Sequence, residues 1–209
     1  FDRALLGSGD AFRHIVSLVP LLLHLNHPTL PGYVEDAPAG IADFILSNYQ
    51  QNFLSKEHPE LVEDVQSAVN SDAVFAPIFG IYVMGSFGSI SQTSASDLDI
   101  WICHQDDLSE QDQQRLAEKM KKISLWASTF HVEMHFYLMT QKRFRNERYS
   151  DPLTKENSGS AQYMLLLEEF YRSAVRLSGK PLLWLHLWVE DEKQYEAEVA
   201  RLVMEGELN

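Results

Sequence analysis

The sequence predicts an α+β fold in which a small mixed sheet is flanked by helices and preceded by an N-terminal helical extension. Two short apolar runs, Ile78–Met84 and Asp97–Cys103, have the length and boundaries of buried strands. Between the second run and a third, alternating one at His131–Thr140 lies an amphipathic helical pattern over Leu108–Ser128. Strand, helix and strand in that order bury one sheet face under helices. We divide the chain into a helical segment at 1–73 and a compact α/β core at 74–209.

Taken in order, residues 1–27 read as helical, with Leu5, Phe12, Ile15, Leu18, Leu22 and Leu25 recurring mostly at three- or four-residue steps. His27-Pro28 and Leu30-Pro31-Gly32 end that segment. Helices are expected near Ile41–Phe53 and Pro59–Ser71, the latter with proline in its first turn and Glu60, Glu63 and Asp64 at its positive end. The helix after the second strand has Ser109 as its expected N-cap and Glu110 and Asp112 in its first turn. Its stripe is Leu108, Leu116, Met120, Ile123 and Trp126. In the third strand Val132, Met134, Phe136 and Leu138 point inward, which leaves His131, Glu133, His135 and Tyr137 on the opposite face. Arg143–Ser160 is polar and reads as a mobile loop; Ala161–Leu177 reads as a helix, Pro181–Val189 as a fourth strand and Glu190–Leu208 as an acidic helix.

The 209 residues are 45% hydrophobic and 11% aromatic, ordinary for a packed protein. A net charge of −13 argues against non-specific binding to nucleic acid or anionic membranes. The single cysteine, Cys103, excludes an internal disulfide framework and suits a reducing compartment. The greasiest run, Ile15 to Leu25, is too short to span a bilayer, and no signal-peptide pattern opens the chain. Because the chain begins at Phe1, it is expected to be a piece of a longer protein.

Chemistry concentrates at Val83-Met84-Gly85-Ser86, followed after ten residues by Asp97-Leu98-Asp99-Ile100-Trp101. Strand alternation sends Asp97 and Asp99 to one face and Leu98 and Ile100 to the other. Two adjacent carboxylates are costly without a cation between them. Mg²⁺ fits, because it takes one or two carboxylates and completes its shell with water and phosphate oxygens. Gly85 allows backbone to approach a phosphate, and the residues after Ser86, with Gly88, Ser89 and Ser91, can open a short anion-binding helix. Gly-Ser, ten residues, Asp-x-Asp resembles the metal–triphosphate element of nucleotidyltransferases of the DNA polymerase β type.

Two-metal phosphoryl chemistry needs a third carboxylate, and Glu133 on the neighbouring strand is the candidate, also placed to take or orient the proton of an attacking hydroxyl. The triphosphate needs cations, for which Arg172, Arg176 and Lys180 recur at four-residue spacing on or just past one expected helix, near one face. Lys142, Arg143, Arg145 and Arg148 are weaker candidates. Cys103, His104, His131 and His135 do not have structural zinc spacing and read as exposed or satisfied side chains. Trp101 shares the carboxylate face, where it walls the pocket, stacks on a base or packs in the core.

Beyond the acidic pair the chain resembles a narrower family, the class I adenylate cyclases of enterobacteria and their relatives. The resemblance is carried in order by Phe1-Asp2-Arg3-Ala4-Leu5, His27-Pro28 with Pro31-Gly32-Tyr33, Met84-Gly85-Ser86 and Ser96-Asp97-Leu98-Asp99-Ile100-Trp101 with Cys103-His104-Gln105. Arg143-Phe144-Arg145 and Phe170-Tyr171-Arg172 through Arg176 to Gly179-Lys180 continue it. It implies a cytoplasmic enzyme that converts ATP to cyclic AMP and pyrophosphate with Mg²⁺. It also implies downstream catalytic and C-terminal regulatory regions, the latter responsive to the sugar phosphotransferase system. By position, Gly85 and Ser86 match the phosphate turn, with Ser96 beside it; Asp97 and Asp99 match the metal carboxylates, and Lys180 a lysine near ATP. Two alternatives share the metal core: a nucleotidyltransferase acting on a separate acceptor, and an ATP-binding fragment inactive by itself.

Overall fold

The computed structural model describes residues 9–63, 65, 76–84, 97–140, 170, 172–182, 187, 189 and 191–205. Their elements run α1 (Asp10–His24), α2 (Asn48–Glu57), a 3₁₀ turn (Pro59–Leu61), β1 (Ile78–Met84), β2 (Leu98–His104), α3 (Glu110–Ser128), β3 (Met134–Thr140), β4 (Val175–Gly179) and α4 (Glu192–Met204). The four strands form one mixed sheet in the order β3-β2-β1-β4. β1 is antiparallel to both neighbours, while β2 and β3 are parallel and joined by α3. The expected mixed sheet flanked by helices is therefore present.

One sheet face is the main core. Leu98, Ile100 and Ile102 of β2 and Ile81 and Val83 of β1 pack with Ile15, Leu18 and Leu22 of α1 and with Leu116, Met120 and Ile123 of α3. This cluster draws on residues from both sides of residue 74. A buried lysine ties the two helices together: Lys119 of α3 is 1% exposed, and its Nζ donates to Leu25 O at 2.9 Å and Asn26 Oδ1 at 3.1 Å. These acceptors sit at the negative end of α1, where a cation is favoured. Burial still lowers the Lys119 pKa to about 8.

Local chemistry explains most element boundaries. Ser109 caps α3 as expected, accepting from Asp112 N at 3.1 Å. The helix expected near Ile41–Phe53 begins only at Asn48. Ile41 instead bridges Ile78, Asp43 takes a φ of 50°, and Ser47 with Gln50 forms a capping box. The third strand starts at Met134 rather than His131, because His131 occupies a left-handed turn with φ 60°. Expectations for 1–8, 64, 66–71, 85–96 and 141–169, Lys142 among them, fall outside the described residues.

The largest correction lies near the C-terminus. Val175–Leu177, expected to complete a helix, belong to β4, which pairs Val175 with Val83 and Arg176 with Tyr82. Pro181, Leu182, Leu187 and Val189, the described residues of the expected fourth strand, are not in a strand. Val175 and Leu177 pack against the main core, and a β-branched residue opposite Val83 suits a pleated surface. Gly179 closes this strand with φ 89° and lies so near β1 that a Cβ there would be 2.3 Å from Phe79 O. Gly179→Ala is expected to lower stability by at least about 2 kcal/mol through backbone strain. Gly9→Ala, whose Cβ would meet open space, is expected to change it by less than about 1 kcal/mol. Urea midpoints of the two variants measure the difference.

Candidate metal centre

The parallel register of β2 and β3 builds the site. Leu98 pairs with Met134, Asp99 with His135 and Trp101 with Tyr137. One residue before the ladder, Leu98 N donates to Glu133 O at 3.0 Å, which sets Asp97 and Glu133 side by side at the strand entrances. The ligand atoms of Asp97, Glu133 and His135 lie within 4.8 Å of one another, and all three residues are exposed. His135 Nε2 stands 3.3 Å from Glu133 Oε1.

Asp99 lies next along the same face, half-buried, and accepts from the Tyr137 hydroxyl at 3.4 Å. Burial raises its pKa, His135 and the Tyr137 hydrogen bond oppose that rise, and Asp97 adds to it. Below Asp99 the face turns apolar. Trp101 is 2% exposed, stacks on Phe170 at 4.5 Å between centroids, and packs with Tyr82, Met84, Cys103 and Met139. Trp101 therefore forms the floor beneath the carboxylates, and its buried indole N–H has no hydrogen-bond partner among the described residues. The Cys103 thiol is wholly buried and its pKa pushed up, so it stays a neutral packing group. His104 is buried with Nδ1 2.8 Å from Gln105 O.

The donor set fits a hard divalent cation: two carboxylates converge with an imidazole, and a third carboxylate stands one strand position away. Oxygen-rich sites of this kind suit Mg²⁺ or Mn²⁺, and a nitrogen ligand is better tolerated by the latter. His135 was the residue hardest to single out from sequence. Only its place in the β3 alternation, two positions after Glu133, marked it.

The cationic candidates are spread out. Arg172 lies before β4 and is exposed, whereas Arg176 is within β4, so the helical stripe expected for Arg172, Arg176 and Lys180 does not form. Arg176 faces Tyr82 across the strands and so shares the sheet face of Trp101 and Asp99; its Nη1 donates to Gly179 O at 3.2 Å. Lys180 N donates to Phe79 O at 2.7 Å, near the start of β1, while Met84 at its end faces Asp99. Five residue steps along the strand separate those points, about 16 Å. Lys180 Nζ lies 2.9 Å from Asp43 and 2.5 Å from Glu192. Burial pulls the Lys180 pKa down, but the hydrogen bonds to Glu192 and Asp43 outweigh it and hold the value high. Gly85, Ser86 and Ser96 lie outside the described residues.

Comparison with known proteins places the chain in a family. The family model described as adenylate cyclase NT domain matches residues 1–185. The adenylate cyclase of Haemophilus influenzae is 65% identical over 214 residues, covering 100% of this chain and 25% of the relative. That of Pasteurella multocida is 58% identical over 97% of this chain and 24% of its own length. That of Escherichia coli K12 is 40% identical over 99% and 24%. A solved toxin–antitoxin structure with AMP-PNP is 17% identical with a TM-score of 0.30, covering 71% of this chain and 94% of that one. The chain thus spans about a quarter of the length of the curated relatives it matches. No helix among the described residues is long and apolar enough to cross a membrane. Matched along most of its length by the family model and at up to 65% identity by named relatives, the chain belongs to the adenylate cyclase N-terminal domain family.

Proposed function

We propose that this chain holds Mg²⁺–ATP for an adenylate cyclase, and that the full-length protein converts ATP to 3′,5′-cyclic AMP and pyrophosphate. The ribose 3′-OH attacks the α-phosphorus of the same nucleotide, forming the ring ester bond as the bond to pyrophosphate breaks. The observation that carries this reading is the convergence of Asp97, Glu133 and His135 beside Asp99 on one strand pair, in a chain of this family.

The residues divide the work. Asp97, Asp99 and Glu133 hold the metal, with His135 at the same group. Mg²⁺ supplies the positive charge that polarises phosphoryl oxygens. Glu133 is exposed and orients loss of the 3′-OH proton. Gly85, Ser86 and Ser96 offer backbone N–H and hydroxyl groups to the phosphates. Arg176 brings a guanidinium to the carboxylate face, and Arg172 stands just before its strand. To reach a phosphate, Lys180 must exchange Asp43 and Glu192 for it. Trp101, 2% exposed and stacked on Phe170, supports the carboxylate strand from beneath as a core group and does not contact the nucleotide. The family resemblance extends the proposal to a cytoplasmic location and to control by a component of the sugar phosphotransferase system.

A second reading rests on the quarter-length match: this piece alone binds Mg²⁺–ATP and leaves turnover to the whole protein. Incubating full-length protein with ATP and Mg²⁺, and no acceptor, separates cyclisation from transfer to another molecule. Cyclic AMP is the expected product, and Asp97→Asn or Asp99→Asn is expected to lower its rate by about 10²-fold or more. Wild-type turnover in either variant contradicts the assignment. An adenylylated product seen only with an acceptor supports intermolecular transfer instead.

Holding a metal has a cost to the empty protein. Because its folded pKa is raised, Asp99 binds a proton more tightly in the native state than in the unfolded chain. Stability is therefore lost as pH rises from the unfolded carboxylate range, near about 4, through the folded value. Without metal, Asp99→Asn is expected to raise the melting temperature at pH 7, and the gain is expected to vanish below about pH 4. Melting curves across that range, recorded with a chelator, check both sign and window.

A further inference from the structure

On the opposite side of the sheet from the carboxylates, α1, the start of α2 and β4 enclose a cavity of about 590 Å³. Val16, Pro20, Ile45, Tyr49, Leu177 and Ser178 line it. Ile45 is 83% exposed and Tyr49, whose hydroxyl meets His14 Nδ1 at 2.8 Å, is 44% exposed, so two large side chains border a concave surface that no described residue covers. Such patches mark contact surfaces. The sheet order also leaves β4 hydrogen-bonded to a strand on one side only among the described residues, and folded proteins cover or blunt such edges.

We infer that this groove is the seat of a segment of the same polypeptide that lies beyond residue 209. Three observations select that occupant. The charged groups around the cavity already serve each other, Arg13 pairing with Asp10, and Ser47 is engaged with Gln50 in the α2 capping box. With those charges paired, the walls offer apolar side chains interspersed with Ser17, Asn48 and Ser178, a mixed lining that suits the backbone and side chains of a protein segment better than a charged small molecule. The relatives are about four times as long as this chain, so most of their length lies outside it.

The last described helix also leaves from this corner. Lys180, directly after β4, bonds both Asp43, two residues before Ile45, and Glu192, the first residue of α4. From there α4 runs 13 residues, about 20 Å, and roughly six extended residues would bring the chain back. None of this depends on the metal site, so its failure and that of the proposed cyclisation are separable.

A photoreactive benzoylphenylalanine at position 45 of the full-length protein tests the inference, with position 49 as a second placement on the same groove. Irradiation is expected to join the probe to a peptide beyond residue 209 within one polypeptide, without a higher-mass band. Cross-linked dimers would assign the groove to a second copy and overturn the inference. So would photolysis at both positions with no cross-link beyond residue 209.

Discussion

The alternation of β2, locked by its pairing on both sides, is the constraint on which the rest of the molecule depends. Leu98, Ile100 and Ile102 are buried beneath α1 and α3, while Asp99 and Trp101 face the other way. A slip of one residue would carry the Asp99 carboxylate into the main core and expose three large aliphatic side chains. Burying an unpaired carboxylate costs several kcal/mol, and losing each aliphatic contact costs about 1.5–3 kcal/mol more. The hydrophobic core therefore fixes the orientation of the acids.

That constraint also explains why the site sits where β2 and β3 begin. Parallel pairing places the first residues of both strands at one end of the sheet, so groups just before Leu98 and Met134 become neighbours although 36 residues separate Asp97 from Glu133 in the sequence. An antiparallel hairpin of the same strands would have set these two acids at opposite ends. The helix between the strands is therefore part of the site's construction: α3 returns the chain so that β3 starts where β2 starts. Its attachment to α1 through Lys119 anchors that return.

Much of this was legible from local pattern. The bounds of β1, the alternation of β2, the Ser109 cap and the facing of Glu133 follow from short-range rules that the tertiary structure reinforces. The error at Val175–Leu177 has a different origin. Arginine, leucine and alanine around those positions suit a helix, but pairing with Tyr82 and Val83 and the left-handed Gly179 decide for a strand. Losing that helix dissolved the cationic stripe, since four-residue spacing places side chains together only on a helix. Likewise, strand alternation puts His135 on the face of Glu133, but only the β2–β3 register brings both to Asp97 and Asp99.

The central claim is that the entrances of β2 and β3 bind the metal of Mg²⁺–ATP. Substituting paramagnetic Mn²⁺ and recording amide relaxation tests this without relying on turnover. Selective broadening of amides at Asp97–Ile100 and Glu133–Tyr137 is expected, with Lys180 and the residues of α2 much less affected. Broadening centred on Lys180 or α2, with the signals around Asp97 and Glu133 unchanged, would contradict that claim.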